Sequence, residues 1–227
     1  MDTDQTDAIL AEYDARYGQN DDLRKVCERL LFQLLDNAGY RVHSITSRVK
    51  KKDSLRRKLL RPGKDYKMLA DVTDVVGIRI TTYFEDEVDR VGDLIQKEFE
   101  VDKLRLVDKR LSLDADRFGY LSLHYVCCLC KERLRLAEYR PYHDMPCEIL
   151  IRSVLQHAWA EIEHDLGYKA AAGVPTPIRR RFSRLAGLLE IADREFAEIR
   201  DVLAQYSSGI KEQIAVSPST VGIDTYP

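Results

Sequence analysis

Leu23, Val26, Leu30, Leu34 and Ala38 recur every three or four positions, which predicts an amphipathic helix capped by Asn20 or Asp21 and stopped at Gly39. The period then changes. VHSITSRV, from residue 42, carries β-branched residues in partial alternation, as a strand does, and DSLRRKLL predicts a short helix beginning at Asp53 or Ser54. DVVGIRITTYF is β-branched and almost continuously apolar, the pattern of a buried strand. An acidic helix with Val88, Val91, Leu94 and Ile95 on one side follows it. YLSLHYVCCLC and PCEILIRSV are two further strands, the second leading into a helix through HAWAEIEHDL. Strands interleaved with helices predict an α/β or α+β sheet domain rather than a bundle.

Beyond AAAGVPTP, a hinge-like linker, Phe182, Leu185, Leu189, Ala192, Phe196, Ile199, Leu203 and Tyr206 alternate spacings of three and four on one long helix. That stripe predicts packing on the sheet domain or an accompanying helix; the alternative is self-association as a coiled coil, giving a homo-oligomer through the C-terminal helix. The chain divides into an acidic segment (1–19), a central domain (20–172) and a helical extension with its tail (173–227). The tail VSPSTVGIDTYP has no clear period, and a longer natural product is expected.

Composition narrows the class. The chain has 227 residues, 44% hydrophobic and 33% charged, enough for one domain with an appendage and a proper core. No apolar run approaches the roughly 18–20 residues of a membrane helix, and the acidic start MDTDQTD is unlike a secretory signal. The five cysteines (Cys27, Cys127, Cys128, Cys130, Cys147) form neither an even framework nor paired CxxC motifs, so reduced thiols in a cytoplasmic protein are expected. A net charge of −2 argues against a polyanion binder only as an average. Residues 2–22 hold seven acids against one Arg, whereas 41–67 hold eleven Lys/Arg against Asp53 and Asp65. Such segregation lets one face bind a polyanion, although charge runs are usually solvated surface.

Three clusters carry candidate chemistry. Arg48 and Lys50 leave a strand just before a helix that places Ser54 and Lys58 on one face at i, i+4. Converging cations near a helix start suit a polyphosphate, and GxxxxGK[ST] is absent. Asp74-x-x-Gly77-x-Arg79 stands at a strand entrance. There Asp74 suits Mg²⁺, Gly77 permits close packing and Arg79 offers a guanidinium plane to a base, or Asp and Arg form a structural ion pair. Glu148 interrupts the apolar strand CEILIRS: either its face is exposed, or it sits beside a cation or metal and does acid/base work. His157, Glu161 and His164 share a helix face and invite a zinc reading, but HExxH is missing. Cys128 and Cys130 read as small core residues.

In order, ITSRVKKKDSLRRKL, DVTDVVGIRI, FGYLSLHYV and CEILIRSVLQHAWAEIEHDLGYK closely resemble the synthetase domain of the RelA/SpoT family, over about residues 20–170. The resemblance implies an α+β fold, a mixed β-sheet flanked by helices of nucleotidyltransferase-like type, with the long helix as the family's C-terminal extension. It implies transfer of pyrophosphate from ATP to a ribose 3′-hydroxyl, usually of GDP or GTP, making (p)ppGpp and releasing AMP. Carried over by position, Arg48, Lys50, Ser54 and Lys58 would hold the ATP phosphates and Arg79 would stack on adenine. Asp74 would ligate Mg²⁺, and Glu148 would approach the 3′-hydroxyl as general base or second metal contact. Tyr120 would stack on the acceptor's base, with His124 beside it.

The acceptor motif departs from the family's NGYRSLH, because Phe118 and Leu121 stand in place of its Asn and Arg. In this the chain is similar to a branch that includes toxins which pyrophosphorylate the 3′-CCA end of tRNA. On that alternative deacylated tRNA is the acceptor, an antitoxin is a partner, and Lys51, Lys52, Arg56, Arg57, Arg61, Lys64 and Lys67, with Arg179, Arg180 and Arg181, contact RNA phosphates. An inactive nucleotide-binding module would have lost the carboxylates, yet Asp74 and Glu148 are both present. The lone His164-Asp165 pair lies within the synthetase motif, so no alarmone hydrolysis is expected.

Overall fold

The structure, a computed structural model, describes residues 3–63, 66–108, 121–169 and 175–216. In chain order the elements are α1 (Thr3–Asn37), β1 (Val42–Val49), α2 (Lys52–Leu59), β2 (Val76–Thr82), α3 (Asp86–Glu98), β3 (Phe99–Val101), β4 (Val107–Asp108), β5 (Leu123–Leu129), α4 (Lys131–Leu134), β6 (Cys147–Ser153), α5 (Val154–Lys169) and α6 (Thr176–Val216). The sheet runs β1-β2-β6-β5-β3, with β4 on β5. β2 and β6 pair in parallel and the other pairs are antiparallel, so the sheet is mixed as expected.

One face of the sheet is the core. Val76, Ile78 and Ile80 of β2, Cys147, Ile149 and Ile151 of β6, and Leu123, Tyr125 and Cys127 of β5 point to it, because every second residue of a strand shares a face. Helix α1 covers it with Leu23, Cys27, Leu30, Leu31 and Leu35, and α3 with Val88, Val91 and Ile95. Gly92 is required where α3 meets β5: a Cβ there would lie 2.8 Å from both Leu123 Cδ2 and the Tyr125 hydroxyl. All five cysteines are free, and burial, followed by the Asp144 and Glu100 charges, pushes the Cys128 thiol up to about 11.

Helix α1 begins at Thr3, not at the cap expected at Asn20 or Asp21, and it runs unbroken across residues 19–20. Its acidic half is held by Ile9, Leu10 and Tyr13, which pack with Leu55 and Leu59 of α2 and with Tyr66, Leu69, Val72 and Val75 in a second core. Three apolar residues at helical spacing suffice here because their partners come from a distant part of the chain. Among the described residues no helix is long and apolar enough to cross a membrane.

The expectation that the α6 stripe packs on the domain is corrected. Leu185, Phe196, Ile199, Leu203 and Tyr206 are half exposed or more, and only Phe182, Leu189 and Ala192 of the stripe are partly covered. The inward face is instead small and polar: Ala186 and Gly187 are buried, and three anchors hold the helix. The Trp159 indole donates to the Phe182 carbonyl at 3.1 Å and meets the Phe182 ring edge-on. Ser153 donates its hydroxyl to Asp193 Oδ2 at 2.6 Å. Arg200 grips Asp86 through two nitrogens at 2.8 and 3.1 Å and lies over the Phe84 ring.

Burial raises the Asp193 carboxyl from the ordinary 3.8 to about 6, with Glu85 adding repulsion, against the Ser153 hydrogen bond that lowers it. Between those values the folded state holds a proton that the unfolded chain has released. Stability therefore falls as pH rises through that window, and the cost is fully present above pH 6. Asp193→Asn, which keeps an oxygen for Ser153 and removes the charge, should raise the melting temperature by about 3 °C at pH 7.5. The gain should shrink toward pH 4 in thermal denaturation monitored by circular dichroism.

Candidate functional site

The face of the sheet opposite the core carries the polar residues, and the strand register sets them in rows. Arg48 pairs with Gly77 and Gly77 with Glu148; one step along, Thr46 pairs with Arg79, Arg79 with Leu150, and Leu150 with His124. Between them lies a cleft of about 180 Å³ lined by Thr46, Ser47, Arg48, Asp74, Gly77, Ile78, Arg79, Glu148 and Leu150. Arg48, Arg79 and Leu150 also line an adjoining cavity of about 520 Å³ that reaches Arg152 and Trp159. Gly77 does not serve close packing as expected, since a Cβ there would meet nothing within 4 Å. Its missing side chain keeps the space between Arg48 and Glu148 open.

Asp74 sits two residues before β2 with its carboxylate between two ammoniums. Lys50 Nζ is 2.8 Å from Oδ2, and Lys58 Nζ is 2.7 Å from Oδ1, off the direction that a good hydrogen bond requires. Burial pushes the Asp74 carboxyl up, but Lys50 and Lys58 outweigh it and hold the group below its ordinary value, so it is ionised at neutral pH. The Lys50 backbone is itself fixed: its N–H donates to the Val75 carbonyl at 2.8 Å, and its carbonyl accepts the Tyr13 hydroxyl at 2.6 Å. Lys58 comes from the i, i+4 face of α2 anticipated for Ser54 and Lys58, while the Ser54 hydroxyl accepts from Arg57 at 3.2 Å.

Glu148 is half-buried at the other side of the cleft. Its Oε1 lies 3.4 Å from His124 Nδ1, and His124 Nε2 lies 2.7 Å from the Ser122 hydroxyl oxygen. A carboxylate only accepts, so Nδ1 carries the proton toward Glu148, and in the neutral imidazole Nε2 then accepts from the Ser122 hydroxyl. The order Ser–His–Glu is that of a nucleophile relay, but Ser122 is 1% exposed and reaches no substrate. It fixes the imidazole that orients Glu148.

Arg79 and the buried Arg152 both donate to Glu161 Oε1 of α5, at 3.0 and 3.1 Å, and Arg152 also meets His157 Nδ1. Burial first and then Arg152 hold the His157 imidazole below its ordinary 6.5, with Glu161 pulling the other way. Arg152 at His157 Nδ1 and two guanidiniums at Glu161 occupy the atoms that the zinc reading of His157, Glu161 and His164 would need, and among the described residues no group of three or more His, Cys, Asp or Glu is placed to hold a metal. Asp74 and Glu148 on one cleft still fit Mg²⁺, which takes one or two carboxylates and completes its shell with phosphate and water oxygens. Lys52 pairs with Asp14, and Arg56 Nη2 lies 3.5 Å from Asp7 Oδ1, so acids of α1 neutralise part of the basic segment. Lys51 and Arg61 are exposed; Lys64 and Tyr120 lie outside the described residues.

Sequence reasoning passed over Arg152, Glu161 as its partner, and Ser122. Arg152 carried a readable signal, being a second charge in an apolar strand on the face of Glu148. Glu161 stood out only as a metal candidate beside His157 and His164, and Ser122 carried no signal, because their roles exist only through contacts between distant residues.

A family model described as the region found in RelA / SpoT proteins matches residues 47–173, a span that holds every lining residue of the cleft but Thr46. The chain belongs to the RelA/SpoT family. Among curated RelA/SpoT relatives, it is 28% identical over 162 residues to the GTP pyrophosphokinase YjbM of Bacillus subtilis, covering 70% of this chain and 72% of that protein. It is 27% identical over 172 residues to YwaC of the same organism, also a GTP pyrophosphokinase, covering 74% and 73%. The fold matches the crystal structure of the B. subtilis small alarmone synthetase 1 bound to its product pppGpp, with a TM-score of 0.71 at 23% identity over 86% of this chain and 99% of that one. A GTP pyrophosphokinase family protein from Streptococcus pneumoniae matches with a TM-score of 0.64 at 26% identity, covering 86% and 94%.

The linkage around Glu161 is testable without substrate. Glu161→Gln removes the one charge that raises the His157 pKa, so the imidazole should titrate at still lower pH. The chemical shifts of its ring protons, followed by NMR from pH 5 to 8, report the change; an unmoved or raised midpoint contradicts the geometry.

Proposed function

We propose that the protein is a pyrophosphokinase that transfers the β,γ-pyrophosphate of ATP to the ribose 3′-hydroxyl of GDP or GTP, forming (p)ppGpp and AMP. The observation that carries this reading is one cleft bounded by Arg48 and Arg79 on one side, Glu148 on another, and Asp74 with its two lysines at the strand entrance. Lys50, Lys58 and the α2 residue Ser54 bind the triphosphate, whose oxygens compete with Asp74 for the ammoniums. Arg48 joins them on the phosphates, and Arg79 presents its guanidinium plane to the adenine. Tyr120, one residue before the buried Leu121, stacks on the acceptor base.

Glu148, oriented by His124, accepts the 3′-hydroxyl proton as the oxygen attacks the β-phosphorus; the bond from that phosphorus to the α-phosphate oxygen breaks and AMP leaves. Asp74 and Glu148 are the groups that would hold Mg²⁺, whose chemistry is to neutralise charge on the phosphates. Positioning and electrostatics supply most of the acceleration in such a transfer. The α1 acids on Lys52 and Arg56 favour a nucleotide acceptor over a polynucleotide, since they occupy cations that an RNA backbone would need.

Incubation with γ-labelled ATP and either GDP, GTP or deacylated tRNA tests the reading. Label should appear in a guanosine nucleotide, and label found only in tRNA would overturn the acceptor assignment. Asp74→Ala and Glu148→Ala should each lower turnover at least about a hundredfold with the melting curve preserved. Gly77→Val places its methyl groups in open space, so it should leave the melting temperature within about 2 °C yet weaken binding of a non-hydrolysable ATP analogue about tenfold or more, read by calorimetry.

A further inference from the structure

Helix α6 is joined to the acceptor segment by a run of buried hydrogen bonds. Asp193, 2% exposed, accepts the Ser153 hydroxyl at 2.6 Å. Ser153 ends β6 and caps α5, its oxygen accepting the Gln156 N–H at 3.2 Å. The equally buried Gln156 side chain uses its carbonyl oxygen to accept the Leu121 N–H at 3.2 Å. Its amide nitrogen faces Asp193 but makes no hydrogen bond of good geometry. Leu121 lies before the first residue of β5, outside the strand ladder, so its buried amide takes its partner from Gln156. Directly after it come Ser122 and His124, the two residues that orient Glu148.

We propose that Gln156, held from α6 by Asp193 through Ser153, is a positioning residue that fixes the backbone at Leu121 and so sets Ser122 and His124 against Glu148. Asp193, Ser153, Gln156 and Leu121 are not among the residues that line the cleft or its adjoining cavity, whose other wall is formed by β1 and the Asp74 entrance. Loss of the link therefore acts on the acceptor side and on the base while leaving ATP binding in place. The long C-terminal helix, whose apolar stripe faces outward, thereby acts on the reaction through its polar inward face. The kinetic part of this inference rests on the pyrophosphokinase reading; the structural part does not.

The experiment uses the full chain and two readouts. Gln156→Met keeps the volume and removes the acceptor; Asp193→Ala removes the anchor, and Asp193→Asn retains an oxygen for Ser153. Amide hydrogen exchange at Leu121, followed by NMR, should quicken about tenfold or more in Gln156→Met and less in Asp193→Ala, and return to the wild-type rate in Asp193→Asn. In steady-state kinetics the KM for GDP should rise about fivefold and kcat fall, with the KM for ATP within about twofold of wild type. Unchanged exchange at Leu121 in Gln156→Met overturns the proposal, as does an equal rise in both KM values or an Asp193→Asn as impaired as Asp193→Ala. If Gln156→Met does not fold, the Asp193 pair carries both readouts. A wild-type protein that transfers no pyrophosphate refutes the functional reading, and exchange at Leu121 still decides the positioning.

Discussion

Strands β2 and β6 lie side by side in parallel, Gly77 opposite Glu148 and Arg79 opposite Leu150, and that pairing sets Arg79 and Glu148 across the cleft from one another. The alternation of strand side chains makes it possible: Val76, Ile78 and Ile80 with Cys147, Ile149 and Ile151 fill the core beneath α1 and α3, and the residues between them must then face the other way. A slip of one residue in both strands would turn Glu148, Arg79 and Arg152 into the apolar core and four isoleucines out of it. The same hydrophobic burial that stabilises the sheet thus holds the site in register.

Charge on the site face is balanced locally. Asp74 stands between Lys50 and Lys58, Glu161 between Arg79 and Arg152, and the acids of α1 reach Lys52 and Arg56. Each pair lowers the cost of bringing like charges together before a polyanion arrives, and each cation keeps donors to offer an incoming phosphate. The net charge of −2 is a sum over these arrangements and says little about the cleft. The acidic start of the chain, which reads as a separate segment, is in the folded protein the counter-charge of α2.

Much of the candidate site was legible because its residues break local patterns. Glu148 in an apolar strand, the cluster of cations before α2, and Asp74 at a strand entrance each stand out against their neighbours. Arg152 breaks the same pattern four residues after Glu148 and was equally readable. Asp193 and Gln156 do not stand out, since each is an ordinary polar residue on a helix until the fold supplies its partner. The stripe on α6 was read correctly as an apolar row but assigned to the wrong side, because periodicity shows that a helix has two faces and not which of them meets the domain. Here polar anchors at Asp193 and Arg200, with small residues at Ala186 and Gly187, turn the helix the other way.

By itself the sequence determined the main strands and helices, the mixed-sheet class and the family, for these depend on local periods and on the order of motifs along the chain. It also singled out the candidate residues of the cleft, since a charge that interrupts an apolar run is visible without coordinates. Only the tertiary structure decided that Asp74 is shared by two lysines, that Ser122 and His124 stand behind Glu148, and that α6 reaches Leu121 through Gln156. Those contacts join residues distant in sequence across strands and helices, and no local pattern encodes which buried donor will find which acceptor once the core has closed.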